Sequence, residues 1–211
     1  RALMGREYFN PPLDLLGSLA LHEDGTNRRP FDGKAASRGN VYLEHRHKTP
    51  RGDDDPTGKA PTFYYLKSIG GGDGLLTFWF FYGYSRYQAV QLFGHQGDWE
   101  HASLILDRNG GVRGAYFAAH GRPKRVDADD LEVVDGRTVV YSARESHASY
   151  PARGEHSDGD ETREGQCWET WRSLEALAVQ EWRRFAGAWG AVGTLAATTG
   201  PLGPWYKRHR K

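Results

Sequence analysis

The sequence has one cysteine, Cys167, and one methionine. A single thiol can form no internal disulfide and cannot build a Cys-based zinc site. This leaves the compartment open. No run of eighteen apolar residues is present, so these residues supply no membrane-spanning helix. The N-terminus lacks the basic, apolar, small-residue order of a signal peptide. The chain begins at Arg1, and the expectation is a domain released from a longer chain, whose own targeting these residues leave open. An excess of one charge is missing too: 28 Lys and Arg stand against 27 Asp and Glu, a formal net charge of +1. There is therefore no bulk electrostatic signal for nucleic acid or an anionic membrane. Phosphate-cradling Gly-x-x-x-x-Gly-Lys, a dinucleotide fingerprint and a Gly-x-Ser-x-Gly elbow are all absent.

Glycine and aromatic residues are plentiful. The 211 residues include 27 Gly, 10 Pro, 7 Trp, 11 Tyr and 9 Phe, with 38% hydrophobic residues. That length fits one domain, much of it loop. Residues 1–60 read as a loop-rich arm. It carries a short apolar stretch from Leu13 to Leu21, a brief strand at Val41–Glu44, and otherwise a polar run broken by Gly, Pro and Asp. Residues 61–211 read as the domain proper. Phe63–Leu66, Leu75–Tyr82, Asp98–Leu106, Gly114–Ala119 and Thr138–Ala143 have strand character. Gly70–Gly74, Asn109–Gly111 and Asp135-Gly136 are turns between them. Trp168 to Trp189 has the spacing of a helix, with Trp171, Leu174, Ala178, Trp182 and Phe185 on one stripe. The expected fold is mainly β: an antiparallel β-sandwich with one C-terminal α-helix and long N-terminal loops. The basic C-terminal tail reads as a solvated end.

Polar chemistry concentrates in His95-Gln-Gly-Asp-Trp-Glu-His101. Alternate residues of a strand share a face. Asp98 and Glu100 then point one way, and Trp99 and His101 the other. Two carboxylates roughly 6–7 Å apart on one face can converge on a divalent cation. His95, just before the strand, can curl in as a third ligand. An imidazole and carboxylate set suits zinc, manganese or iron, and a set richer in oxygen, completed by water, suits magnesium or calcium. The bland alternative is a solvated strand edge. His120 ends a strand, and Ser146-His147 leaves another beside Arg144 and Glu145. His101, His120 and His147 are candidate acids or bases. Ser146 is a candidate catalytic hydroxyl whose adjacency to His147 does not by itself make a nucleophile–base pair. The acidic stretch Gly154–Glu161 reads as a surface loop, although Asp158-Gly-Asp160 could offer oxygens to calcium.

Six ordered blocks carry a family resemblance: Phe78–Tyr84, Gly97–His101, Ala119–Gly121, Val140–Pro151, Cys167–Trp171 and Gly200–Trp205. Together they resemble the vacuolar protein sorting-associated protein 62 family, across roughly residues 62–207. The resemblance implies a mainly β fold and little biochemistry. Gly94–Glu100 is more distantly similar to the Gly-His-Arg-His-Asp-Trp-Glu hallmark of the necrosis- and ethylene-inducing peptide-like toxins. In those, the first His, the Asp and the Glu help hold a cation on a β-sandwich that binds membrane sphingolipids. By position these are His95, Asp98 and Glu100, with Gly97 standing where the toxins have a second His.

Two functions follow as expectations. The first is a divalent-cation-dependent hydrolase, an effector or toxin domain that is secreted or delivered within a larger chain. Its metal ligands would be His95, Asp98 and Glu100, its cation Mg, Ca, Mn or Zn, and its acid–base groups His101, His120, His147 and Ser146. The second is a non-enzymatic, cation-dependent binder of glycolipid or glycan at a membrane surface.

Overall fold

The computed structural model describes residues 42–43, 45, 48–49, 60–86, 93–163, 165, 167–185, 187–191 and 193–207. Most of the arm expected over residues 1–60, including Leu13–Leu21, lies outside the described residues. So does most of the basic tail.

Four long strands and two shorter ones form the main sheet. They are β2 (Thr62–Gly70), β3 (Asp73–Arg86), β4 (Gly94–Leu106), β5 (Val112–Ala119), β6 (Arg122–Asp127) and β13 (Leu174–Ala176). Their order is β13-β2-β3-β4-β5-β6. Every neighbouring pair is antiparallel except β13 on β2. The remaining strands make two-residue ribbons: β1 (Tyr42–Leu43) with β14 (Ala188–Trp189), β7 (Val133–Val134) with β8 (Arg137–Thr138), β9 (Tyr141–Ser142) with β10 (Ser149–Tyr150), and β11 (Gly154–Glu155) with β12 (Glu161–Thr162). The mainly β expectation therefore holds in its coarse form. The described residues form one large mixed sheet and small ribbons, not two comparable sheets stacked as a sandwich.

β3 is central because it is apolar on both faces. Trp79 and Phe81 enter one core with Leu43, Phe63, Trp99, Leu177, Trp182, Phe185 and Trp189. Phe78, Phe80 and Tyr82 enter the other with Ala102, Ala115 and Phe117. In the first core Trp99 stacks on Trp182 with centroids 5.5 Å apart and meets Trp189 edge-on at 5.2 Å. Burying each such ring contributes roughly 1.5–3 kcal/mol. Turn chemistry closes the hairpins. Asp135-Gly136 and His120-Gly121 both take two left-handed residues, the geometry of a two-residue primed turn.

The helix expected over Trp168–Trp189 is not there. The segment runs as a 3-10 turn (Thr170–Ser173), β13, two further 3-10 turns (Leu177–Val179 and Glu181–Arg184) and β14. Ala176, Gln180 and Phe185 have extended backbone, with ψ of 122°, 128° and 113°, and these residues break the helix into pieces. The open edge of β2 is what competes. Leu174–Ala176 pairs with Thr62–Tyr64 and satisfies backbone groups a helix would leave bare. The stripe divides accordingly: Trp182 and Phe185 are buried, while Trp171 and Leu174 are exposed. The described α-helix is the short α1 (Pro204–Lys207).

Candidate functional site

The site forms where the ends of β3 and β4 meet the loop between β9 and β10. Tyr82 lies opposite Asp98 and Phe80 opposite Glu100, so both carboxylates stand on one face of the sheet. The start of β4 is clamped from two sides. The buried Gln96 side chain accepts from the His45 backbone N–H at 2.9 Å and donates back to its carbonyl at 3.2 Å. Next to it, Gly97 has φ +65°, and a Cβ there would lie 1.8 Å from the Trp189 carbonyl oxygen. The position where the toxins carry a second His is thus filled here by the backbone of β14.

His95 turns its Nδ1 toward the Gly97 carbonyl at 3.0 Å. A carbonyl only accepts, so Nδ1 is the donor in this contact. An outer hydrogen bond of this kind orients the ring and leaves Nε2 as the atom that could meet a metal.

The Ala143–Ala148 loop is tied to β3 by the Arg86 N–H donating to the Glu145 carbonyl at 2.9 Å. Glu145 and His147 are held in left-handed conformations, with φ of 72° and 59°. Side chains of this shape avoid that region, and such strain collects at working sites. His147 directs Nδ1 to Asp98 Oδ2 at 3.2 Å. Burial works to raise the Asp98 carboxyl. The His147 hydrogen bond and the charges of His95, His147 and Lys207 outweigh it and hold the group below its ordinary value. Glu100 goes the other way: burial and the adjacent Asp98 charge push it well above the ordinary carboxylate range. The two neighbouring carboxyls are thus shifted in opposite directions.

One cavity of about 310 Å³ gathers these groups. Its lining includes His95, Asp98, Glu100, His120 and Ser146, with Arg86 and Phe93 also contributing. His147 is reached through Asp98 and is not itself part of the lining. His101 is not brought in. It sits on the opposite face, stacked on Trp79 with centroids 4.3 Å apart. Burial, aided by the Lys207 charge, lowers it to about 4, which keeps it neutral.

Behind the cavity wall lies a residue that sequence reasoning left in a surface loop. Asp160 is 4% exposed. Its Oδ2 accepts from Ser146 Oγ at 2.6 Å and Tyr150 Oη at 2.9 Å, and lies 3.0 Å from His120 Nε2. Ser146 therefore serves a carboxylate, and the Ser146-His147 neighbours do not form a nucleophile–base pair. His120, Asp158 and Asp160 bring ligand atoms within 4.8 Å of one another, the set among the described residues drawn close enough to meet one cation. His95, Asp98 and Glu100 face the same cavity but stand further apart. The alternation of small polar residues in Asp158-Gly-Asp160 was the one available signal for Asp160. Nothing local marked Arg86.

Comparison with known proteins bears out the family resemblance. The family described as Vacuolar protein sorting-associated protein 62 matches residues 81–179. Vacuolar protein sorting-associated protein 62 of Saccharomyces cerevisiae is 28% identical over 177 residues, covering 63% of this chain and 38% of that protein. The putative vacuolar protein sorting-associated protein TDA6 of the same yeast is 24% identical over 212 residues, covering 71% of this chain and 45% of that protein. The chain thus spans less than half the length of these curated relatives. Similar solved structures include one described as a toxin fold for microbial attack and plant defense, with TM-score 0.46, 15% identity and coverage of 71% of this chain and 65% of that one. Another is Necrosis and Ethylene inducing Protein 2 from the causal agent of cocoa's Witches Broom disease, with TM-score 0.40, 18% identity and coverage of 69% and 76%.

Proposed function

We propose that this relative of the Vps62 family uses the cavity as a divalent-cation-dependent hydrolytic site. The observation that carries the reading is that His95, Asp98 and Glu100 line one cavity, with the two carboxyls on one sheet face and shifted in opposite directions. Carboxyl groups pushed apart in this way are suited to separate roles. The donor set, one imidazole and two carboxylates, fits Zn or Mn, and with added water Mg or Ca. A cation held there supplies positive charge that polarises a substrate oxygen. Asp98 supplies the fixed negative charge that binds it. Glu100, whose carboxyl is raised, would be the second carboxylate to hold a cation, and as a ligand it would have to be deprotonated. His147 orients Asp98. His120, bound through Nε2 to Asp160, is the group placed to exchange a proton with a leaving atom in the cavity.

A second reading is cation-dependent recognition of a glycan or glycolipid without turnover. The commitment of the Ser146 hydroxyl to Asp160 favours it, since that hydroxyl then has no histidine base. The two readings separate in one experiment. Wild type and Asp98→Ala are incubated with nucleic acid, phospholipid and peptidoglycan, with and without chelator, while products and liposome binding are measured. The hydrolase reading expects chelator-sensitive turnover that Asp98→Ala abolishes while the variant still folds, as shown by its circular dichroism. Chelator-sensitive binding with no product would replace it by the recognition reading.

A further inference from the structure

We propose that Arg86 is the specificity residue of the cavity and that the ligand it selects is a phosphate ester. The inference rests on the cation-dependent reading above and names its substrate class.

Arg86 lines the cavity together with His95, Asp98 and Glu100. It is the last residue of β3, lying opposite Gly94 at the start of β4, so pairing with the strand that carries His95, Asp98 and Glu100 fixes its backbone. The backbone is fixed a second time by the bond from its N–H to the Glu145 carbonyl. Its guanidinium is far less constrained. Among the described residues it pairs with Glu145, with Nε 3.7 Å from Oε2, outside hydrogen-bonding distance. Its side chain remains 44% exposed. A guanidinium offers five donors in a planar fork matched to phosphate and carboxylate oxygens. Here, among the described residues, no hydrogen bond engages that fork, and Arg86 lines the cavity.

Charge selects the ligand. The cavity wall carries Asp98, with Asp160 close behind it, and it would repel an anion entering alone. A bound cation would reverse that sign locally, and Arg86 adds positive charge to the same lining. A ligand bridging the two must offer several anionic oxygens on one atom. A tetrahedral phosphate does so, whereas a neutral sugar does not. The cavity, about 310 Å³, is at the small end for ligand sites and takes a phosphorylated headgroup better than an extended chain. Phe93 on the same wall gives an apolar surface for the esterified group.

The test is calorimetry with Mn²⁺, then with phenyl phosphate titrated into the Mn²⁺-loaded protein. Phenyl β-glucoside serves as the neutral control. Wild type should bind phenyl phosphate only when Mn²⁺ is present and should ignore the glucoside. Arg86→Gln should bind Mn²⁺ as wild type does and lose at least about tenfold in phenyl phosphate affinity, the usual cost of a charged hydrogen-bonding group. Arg86→Lys, which keeps the charge and loses the fork, should fall between them. Flotation with phosphatidylcholine vesicles, with and without phosphatidic acid, distinguishes a lipid headgroup from a soluble ester, and Arg86-dependent binding to either supports the proposal. Failure of wild type to bind Mn²⁺ overturns the cation reading itself. Normal Mn²⁺ binding with equal phenyl phosphate affinity in Arg86→Gln, or with none in wild type, overturns the phosphate assignment alone.

Discussion

His147 and Asp98 form a buried imidazole–carboxylate pair in which the ring's Nδ1–H donates to Oδ2 at 3.2 Å. The same ring lies flat on Tyr82, with centroids 4.0 Å apart and 4° between planes. Tyr82 is the cross-strand partner of Asp98. The carboxylate is therefore held both by its own strand pairing and by a ring that its neighbour supports. His147→Phe should keep the stacking and lose the hydrogen bond. Cation affinity should then fall about 10–100-fold, the usual effect of removing such an outer partner. Calorimetry with Mn²⁺ reads this. An unchanged affinity would mean that His147 does not orient Asp98.

Glu100 gives the protein an uncommon pH response. Its folded carboxyl is raised above the unfolded value near 4.5, so its contribution to stability is fully present below that pH. The contribution is lost as pH rises through the folded value. In chelator, melting temperature should decline as pH rises above about 4.5, and Glu100→Gln should flatten the decline. Asp98 acts in the opposite sense and lower down: its stabilisation is present above about 3.8 and lost as pH falls further. Thermal melts of both proteins across this range check the signs.

His101 belongs to the core and not to the site. It is stacked on Trp79 and lowered to about 4, so acidification from 6.5 toward 4 should destabilise the protein as the unfolded chain takes up the proton first. His101→Phe should remove this acid-side loss and leave Mn²⁺ affinity unchanged. A drop in affinity would return His101 to the site.

The tryptophans of the C-terminal segment should behave unequally. Trp182 is 6% exposed and packs on Phe63 and Trp99, so Trp182→Ala should cost about 3–5 kcal/mol. Trp171 is 40% exposed, with the Arg137 guanidinium 4.4 Å from its ring centroid. Its truncation should cost about 0.5–1 kcal/mol. Denaturant melts of the two variants give the comparison, and equal losses would contradict the division of the stripe.

Restoring the toxin-like second histidine should fail. Gly97→His puts a Cβ against the Trp189 carbonyl and forces a side chain into φ +65°. A loss of about 3 kcal/mol or more, or no folded protein at all, is expected. A variant as stable as wild type would show that β14 does not press on β4 in this way.

These contrasts mark what the residues disclose by themselves. Strand periodicity identified β3 and β4 and placed Asp98 and Glu100 on one face, because a period of two is a local property. The segment after Trp168 misled for the opposite reason. Its three- and four-residue spacing suits a helix, yet the open edge of β2, more than a hundred residues earlier in the chain, drew Leu174–Ala176 into the sheet. Gly114–Ala119 showed as a strand, and β5 begins two residues earlier at Val112, while β6 did not show, since Arg122–Asp127 is an edge strand with little apolar content. At the site, His95 and Glu100 were legible from the heptapeptide. Asp160 was not, because its burial depends on Ser146, His120 and Tyr150 converging from other elements. Arg86 was hidden in the same way: the cavity exists only once the β9–β10 loop folds over the end of β3.

The central claim is that one cation sits between His95, Asp98 and Glu100. A crystal soaked in Mn²⁺ and measured for anomalous scattering tests it most directly. The account predicts a single strong peak in the cavity, about 2.0–2.3 Å from His95 Nε2 and from oxygens of Asp98 and Glu100. A peak held instead by His120, Asp158 and Asp160, or no peak in the cavity at saturating Mn²⁺, would contradict it.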